Sequence, residues 1–170
     1  ASSFARTSVR RIRVDPADAN LVLAATTRGG YGRDSRIGAP GAPAFGVQKS
    51  IDGGVSWVRT LTGQATALEI DATNFNNQYA AIGDEFDGMP GEAPGRVADG
   101  VYRSVDGGDS WSPVAGPWNS ASSPGIGRLE LAMSRSSPSV VYASIDAAPD
   151  SGTAGDLMGL YRTDNAWDLS

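Results

Sequence analysis

The chain alternates short apolar runs with turn-forming residues, and within the runs apolar positions recur every second residue. Ile12 and Val14 are set against Arg11 and Arg13, Leu68 and Ile70 against Glu69, and Leu129, Leu131 and Met133 against Arg128 and Glu130. Each pattern predicts a strand with one buried face and one more polar face. A polar turn follows, "DPADAN" in the first case and "SRSSPS" in the third. Next comes a run that is apolar on both faces: "LVLAAT", "QYAAIG" and "VVYASI". Such a run predicts a strand wedged between two packed sheets. No segment carries apolar residues at helical spacing over any length, so the expected fold is all-β.

The strands recur as a unit. "GVQKSIDGGVSW" (46–57) aligns with "GVYRSVDGGDSW" (100–111) and, more loosely, with "GLYRTDNAW" (159–167). The leading glycines, Gly46, Gly100 and Gly159, are 54 and 59 residues apart. In each block a third strand is expected to begin at the glycine and a fourth at the tryptophan. Three units, approximately 8–62, 63–120 and 121–170, then fill a single segment, 1–170. Antiparallel four-stranded units repeated at this interval describe the blades of a β-propeller, here about three of them.

The shared octapeptide sits where the third strand turns into the fourth. Asp52 and Asp106 are expected to accept hydrogen bonds from the amides of their own turn, with Ser50 and Ser104 bonding inside it. Gly54 and Gly108 supply a positive φ. Trp57 and Trp111 open the next strand with a large ring. A hairpin fastened in this way explains both copies at once, and is preferred to Asp52 and Asp106 as a catalytic carboxylate pair. "DGG" lacks the ligand spacing of a calcium loop.

Composition narrows the chemistry. Fourteen basic residues against 19 acidic ones give a formal net charge of −5. No basic stripe for nucleic acid is implied, nor a polybasic membrane surface, and no apolar run is long enough to cross a bilayer. Cysteine and histidine are absent. Disulfides, thiolate chemistry, a Ser–His–Asp triad and histidine metal sites are thereby excluded. Catalysis, if present, would use carboxylates, tyrosine, arginine or the single lysine, Lys49.

The two octapeptides resemble the Asp-box, also called the bacterial neuraminidase repeat. It is found in sialidases, in xyloglucanases and related glycoside hydrolases, in sortilin-type receptors and in photosystem II assembly factors. The layout "VDPADANLVLAAT … GVQKSIDGGVSW" is most similar to secreted bacterial propellers of the sialidase-like or xyloglucanase-like group. The third unit keeps Thr163, Asp164 and Trp167 but is three residues shorter between hydroxyl and tryptophan. "VRRIRV" (9–14) lacks the proline of the sialidase arginine motif. The resemblance implies a secreted or cell-surface bacterial module that binds or scaffolds a glycan or protein. The alternative is part of a glycoside hydrolase, with catalytic carboxylates on the loop face or in other blades. A motif that marks a fold leaves open whether the chain is an enzyme.

Connections between the second and third strands are long: 27–45, 84–99 and 146–158. Topology places all three on the face away from the octapeptide hairpins, where the resemblance also places a substrate cleft. The first offers Arg28, Tyr31, Arg33, Asp34 and Arg36, suited to a carboxylate or a sugar. The second offers Asp84, Glu85, Asp87 and Glu92, of which Asp84, Glu85 and Asp87 could hold Ca²⁺; no other cofactor is implied. The third offers Asp146, Asp150 and Asp156. Trp118, in the link between the second and third units, is a candidate stacking platform for a sugar. In each case an ordinary solvated loop, or a buried ring, is the plainer reading.

Three blades do not close a ring. Further blades of a longer chain, a homodimer mate giving three plus three, or a different chain would each cover the open ends. The abrupt "ASSFARTSVRRI" and "WDLS" at the two ends lead us to expect a piece of a longer polypeptide.

Overall fold

The computed structural model describes residues 4, 7–28, 45–83, 98–116, 126–148 and 155–166. Every regular element among them is a strand. The first sheet contains β1 (Thr7–Val14), β2 (Val22–Arg28), β3 (Gly46–Ser50) and β4 (Val58–Thr62). The second contains β5 (Ala65–Asp71), β6 (Asn74–Ile82), β7 (Gly100–Ser104) and β8 (Ser112–Pro113), and the third β9 (Ile126–Met133), β10 (Val141–Ala147) and β11 (Leu157–Thr163). Each is an antiparallel meander in chain order. The first strands β1, β5 and β9 adjoin one another along one edge, so the sheets fan out as three successive blades of a propeller. The all-β, bladed fold expected from the periodicity is the fold observed.

Register makes the three sheets equivalent position by position. Val22, Gln78 and Val141 pair with the hydroxyl residues Ser50, Ser104 and Thr163 that end the third strands. Between the first and second blades, Leu23, Ala25, Val47 and Leu61 pack on Leu68, Ala80 and Ile82. Between the second and third, Tyr79, Ala81 and Val101 pack on Leu129, Leu131 and Ile145. Alanines in the second strands (Ala24, Ala25, Ala80, Ala81) are fully buried and let neighbouring sheets approach closely. β2 and β6 are buried on both faces from Val22 to Thr27 and from Gln78 to Ile82, whereas β10 alternates buried with exposed or half-exposed residues.

β1 departs from its expected pattern. Its apolar residues Val9, Ile12 and Val14 are exposed, while Arg11 and Arg13 are half-buried. The alternation is present, but no sheet of the described residues lies against the apolar face. The fourth strands start one residue after the tryptophans, at Val58 and Ser112, and β11 starts two residues before Gly159.

Candidate functional site

The two octapeptides fold into matching hairpins. The Ser50 hydroxyl donates to Asp52 Oδ1 (2.7 Å) and accepts from the Gly54 amide (2.8 Å). Asp52 also accepts from the Ser56 amide (2.9 Å) and the Ser56 hydroxyl (2.5 Å). In the second blade Ser104 donates to Asp106 (2.8 Å), and the Gly108 amide donates to Ser104 (2.8 Å). Asp106 accepts from the amide (3.0 Å) and hydroxyl (2.5 Å) of Ser110 and from the Asp109 amide (3.1 Å). The Ser56 hydroxyl, then its amide and the Ser50 hydroxyl, lower the Asp52 pKa from 3.8 to about 2. Ser110, in the same order, does so for Asp106, also to about 2, with Ser104 and Asp109 adding to it. Carboxylates so fully occupied are poor proton carriers at neutral pH. Ser56 and Ser110 went unremarked in the sequence, although both copies carry them one residue before the tryptophan.

A third hairpin is built from different residues. The Thr163 hydroxyl donates to Asn165 Oδ1 (2.5 Å), and the Asn165 amide donates back to Thr163 (3.2 Å). Asn165 therefore stands where Asp52 and Asp106 stand, and Asp164 lies one residue earlier, ion-paired to Arg162. Trp167, two residues after Asn165, is in register with Gly54 and Gly108 rather than with Trp57 and Trp111, and lies outside the described residues. The turn is held to the β9–β10 turn by the Ala166 amide on the Ser139 carbonyl (2.7 Å). Gly53 on Asn20 (3.1 Å) and Gly107 on Asn76 (3.3 Å) are the same bond in the other blades. Positive φ accompanies all three: 69° at Gly53, 74° at Gly107 and 51° at Ala166. The hairpins and the first turns thus share one end of each blade.

Where another blade precedes it in the chain, the hairpin also clasps that blade. Lys49 of β3 donates to Asp109 of the second hairpin at 2.7 Å, with the lysine side chain mostly buried. Trp111 Nε1 donates to Thr60 Oγ1 of β4 (3.1 Å), and Tyr79 of β6 donates to the Ala166 carbonyl of the third hairpin (2.5 Å). Trp57, by contrast, donates within its own hairpin to Gly54 (2.9 Å) and meets Phe4 edge-on at 4.9 Å.

The polar faces of the first strands meet in a charged lattice. Arg13 of β1 pairs with Glu69 of β5 at 2.6 Å. Arg11 of β1 reaches Glu130 of β9 at 2.8 Å, and Arg128 pairs with the same carboxylate. A cavity of about 400 Å³ lies at one end of this lattice, bounded by Arg13, Glu69, Met133 and Arg135 among others. The two glutamates are therefore already neutralised by arginines from another strand.

Most of the loop candidates, Tyr31, Arg33, Asp34, Arg36, Asp84, Glu85, Asp87, Glu92, Trp118 and Asp150, lie outside the described residues. Arg28 is the last residue of β2, its backbone paired with Thr7. Asp146 is half-buried on β10, and Asp156 is exposed just before β11. Among the described residues no group of three or more acidic side chains is placed to hold a metal ion.

No family model matches the chain, and no curated protein matches it. Among solved structures it is similar to an ancestral GH74 enzyme, with a TM-score of 0.61 at 21% identity over 92% of the chain. It is similar over the same share to the GH74 enzyme of Niastella koreensis (TM-score 0.54, 15% identity). A third likeness, also over 92% of the chain, is to the GH74 xyloglucanase of Xanthomonas campestris (TM-score 0.52, 18% identity). The chain spans 17% of the first structure and 21% of each of the others, about a fifth of their length. At these identities the likeness is one of fold.

Proposed function

We propose that these blades are part of a larger carbohydrate-active β-propeller, secreted or displayed at a bacterial surface, in which they hold a glycan rather than cut it. The observation that carries the carbohydrate-active part of this reading is the likeness over nearly the whole chain to three GH74 enzymes, each about five times as long. The glycan lies on the loop face, with Arg28, Arg33 and Arg36 for polar contacts and Tyr31 and Trp118 as stacking surfaces. Glu69 and Glu130 are each tied to an arginine of another strand. A glycosidase needs two carboxylates facing each other across the scissile bond, and in this reading they belong to other blades.

A second reading makes these blades contribute one of that pair, from the acids Asp84, Glu85 and Asp87. It rests on the same likeness, since all three neighbours are enzymes. Calorimetric titration with xyloglucan oligosaccharides, beside an assay for new reducing ends, separates the two. Saturable binding without new reducing ends, weakened at least about tenfold by Trp118→Ala or Tyr31→Ala, is the expected result. New reducing ends that vanish when Asp84, Glu85 and Asp87 are replaced by their amides would establish the second reading. Absence of binding would overturn both. Repeating the titration with EDTA tests whether those acids hold Ca²⁺.

A further inference from the structure

The same positions recur in all three sheets, and their exposure depends on the sheet. Ile12, Leu68 and Leu131 pair with Ala24, Ala80 and Ala143, and so occupy one place on the rear face of successive blades. Leu68 and Leu131, with a blade behind them, are 0% and 5% exposed, whereas Ile12 is 57% exposed. On the front face, Val47, Val101 and Leu160 each follow the shared glycine of the third strand. The first two are 0% and 1% exposed, and Leu160 is 68% exposed. Tyr142, in register with the buried Leu23 and Tyr79, is likewise exposed. The rear of the first blade and the front of the third are therefore halves of a blade–blade interface whose complete form is seen twice within the chain.

The hairpins indicate what kind of blade fits. Between the first two blades a base on the front face of one meets an acid on the rear of the next: Lys49, just before Ser50, bonds Asp109, five residues after Ser104. Counted in the same way, Arg103 is the base at the next junction, and Asp168, outside the described residues, is five after Thr163. On the third blade the base is Arg162, held by Tyr142 of β10 and Asp164 of its own hairpin. On the first blade the residue five after Ser50 is not an acid but Val55, which is exposed. A second copy docked behind the first would set Val55 against Arg162.

We propose that the front face of the third blade, centred on Tyr142, Leu160 and Arg162, docks a propeller blade from outside these 170 residues whose hairpin carries an acid at the place of Asp109. A second copy of this chain does not fill the position, because its hairpin offers a valine there. Val55→Asp turns "SIDGGVSW" into a near copy of "SVDGGDSW" and supplies the missing acid at an exposed site. Sedimentation velocity on the 170-residue chain at low and high salt tests this. The expected result is a wild type that remains a single chain. Val55→Asp should self-associate about two- to fivefold more tightly at low salt, the gain of one exposed ion pair, with that gain lost at high salt and in the double variant with Arg162→Ala. A wild type that assembles through these faces would show that the occupant is a second copy. A Val55→Asp chain no more associated than wild type would overturn the acid–base match as the rule of docking.

Discussion

Asp106 illustrates what one residue does in this fold. A single carboxylate gathers the amides of Asp109 and Ser110 and the hydroxyls of Ser104 and Ser110, fixing the seven residues 104–110. Bonds to a charged acceptor exceed neutral ones, so Asp106→Ala is expected to cost about 1–2 kcal/mol, the size of a lost helix cap. Urea unfolding at pH 7 would measure it; an unchanged midpoint would show that the turn holds without its acid. The pH dependence has a definite sign. Asp52 and Asp106 have folded pKa values of about 2, below the ordinary 3.8. The folded state therefore binds protons less readily than the unfolded one. Their contribution is complete above the unfolded value and is lost as pH falls from about 4 toward 2. The doubly substituted chain, Asp52→Asn with Asp106→Asn, should start less stable at pH 6 and lose less between pH 4 and 2. Parallel pH profiles for the two proteins would remove the carboxylates from the explanation.

At the scale of the element, the hairpin serves two purposes, and two glycines separate them. Gly54 and Gly108 have nearly the same φ, 89° and 84°. A methyl group on Gly54 would meet only Trp57 of its own hairpin, at 3.4 Å. On Gly108 it would meet Gln78 Oε1 at 2.7 Å and Leu23 Cδ2 at 3.0 Å. Both alanine variants suffer the left-handed backbone, and Gly108→Ala should suffer crowding as well, a further 1–3 kcal/mol or about that. Equal losses in denaturant melts would mean that the second hairpin does not press on its neighbours. The Lys49–Asp109 pair should give a coupling of about 0.5–1 kcal/mol in a double-mutant cycle, reduced by salt. The hairpins were legible because eight residues repeat nearly unchanged, and the strands because their alternation is regular. The third hairpin was legible only in outline: without the paired glycines, Asp164 attracted the assignment that the backbone gives to Asn165. The clasp of Lys49 on Asp109 was hidden because 60 residues separate the partners, and the repeat aligns their two blocks without showing that one packs on the other. Nor could alternation in β1 show which face is covered, because periodicity reports that a strand has two faces and a neighbouring sheet decides which is dry.

At the scale of the molecule, the blades are equal in sequence and unequal in surroundings. The second is packed on both faces, and the first and third each on one. The arginine–glutamate lattice ties β1 to β5 and β9, linking all three along the inner edge. Local opening follows packing, and amide exchange measures it strand by strand. Hydrogen–deuterium exchange of the intact 170-residue chain is therefore the most direct test of three consecutive blades with two uncovered faces. The arrangement predicts slowest exchange in β5, β6 and β7, with β1 and β11 exchanging at least about tenfold faster. Equal protection across the three sheets, or slowest exchange in β1 or β11, would contradict it.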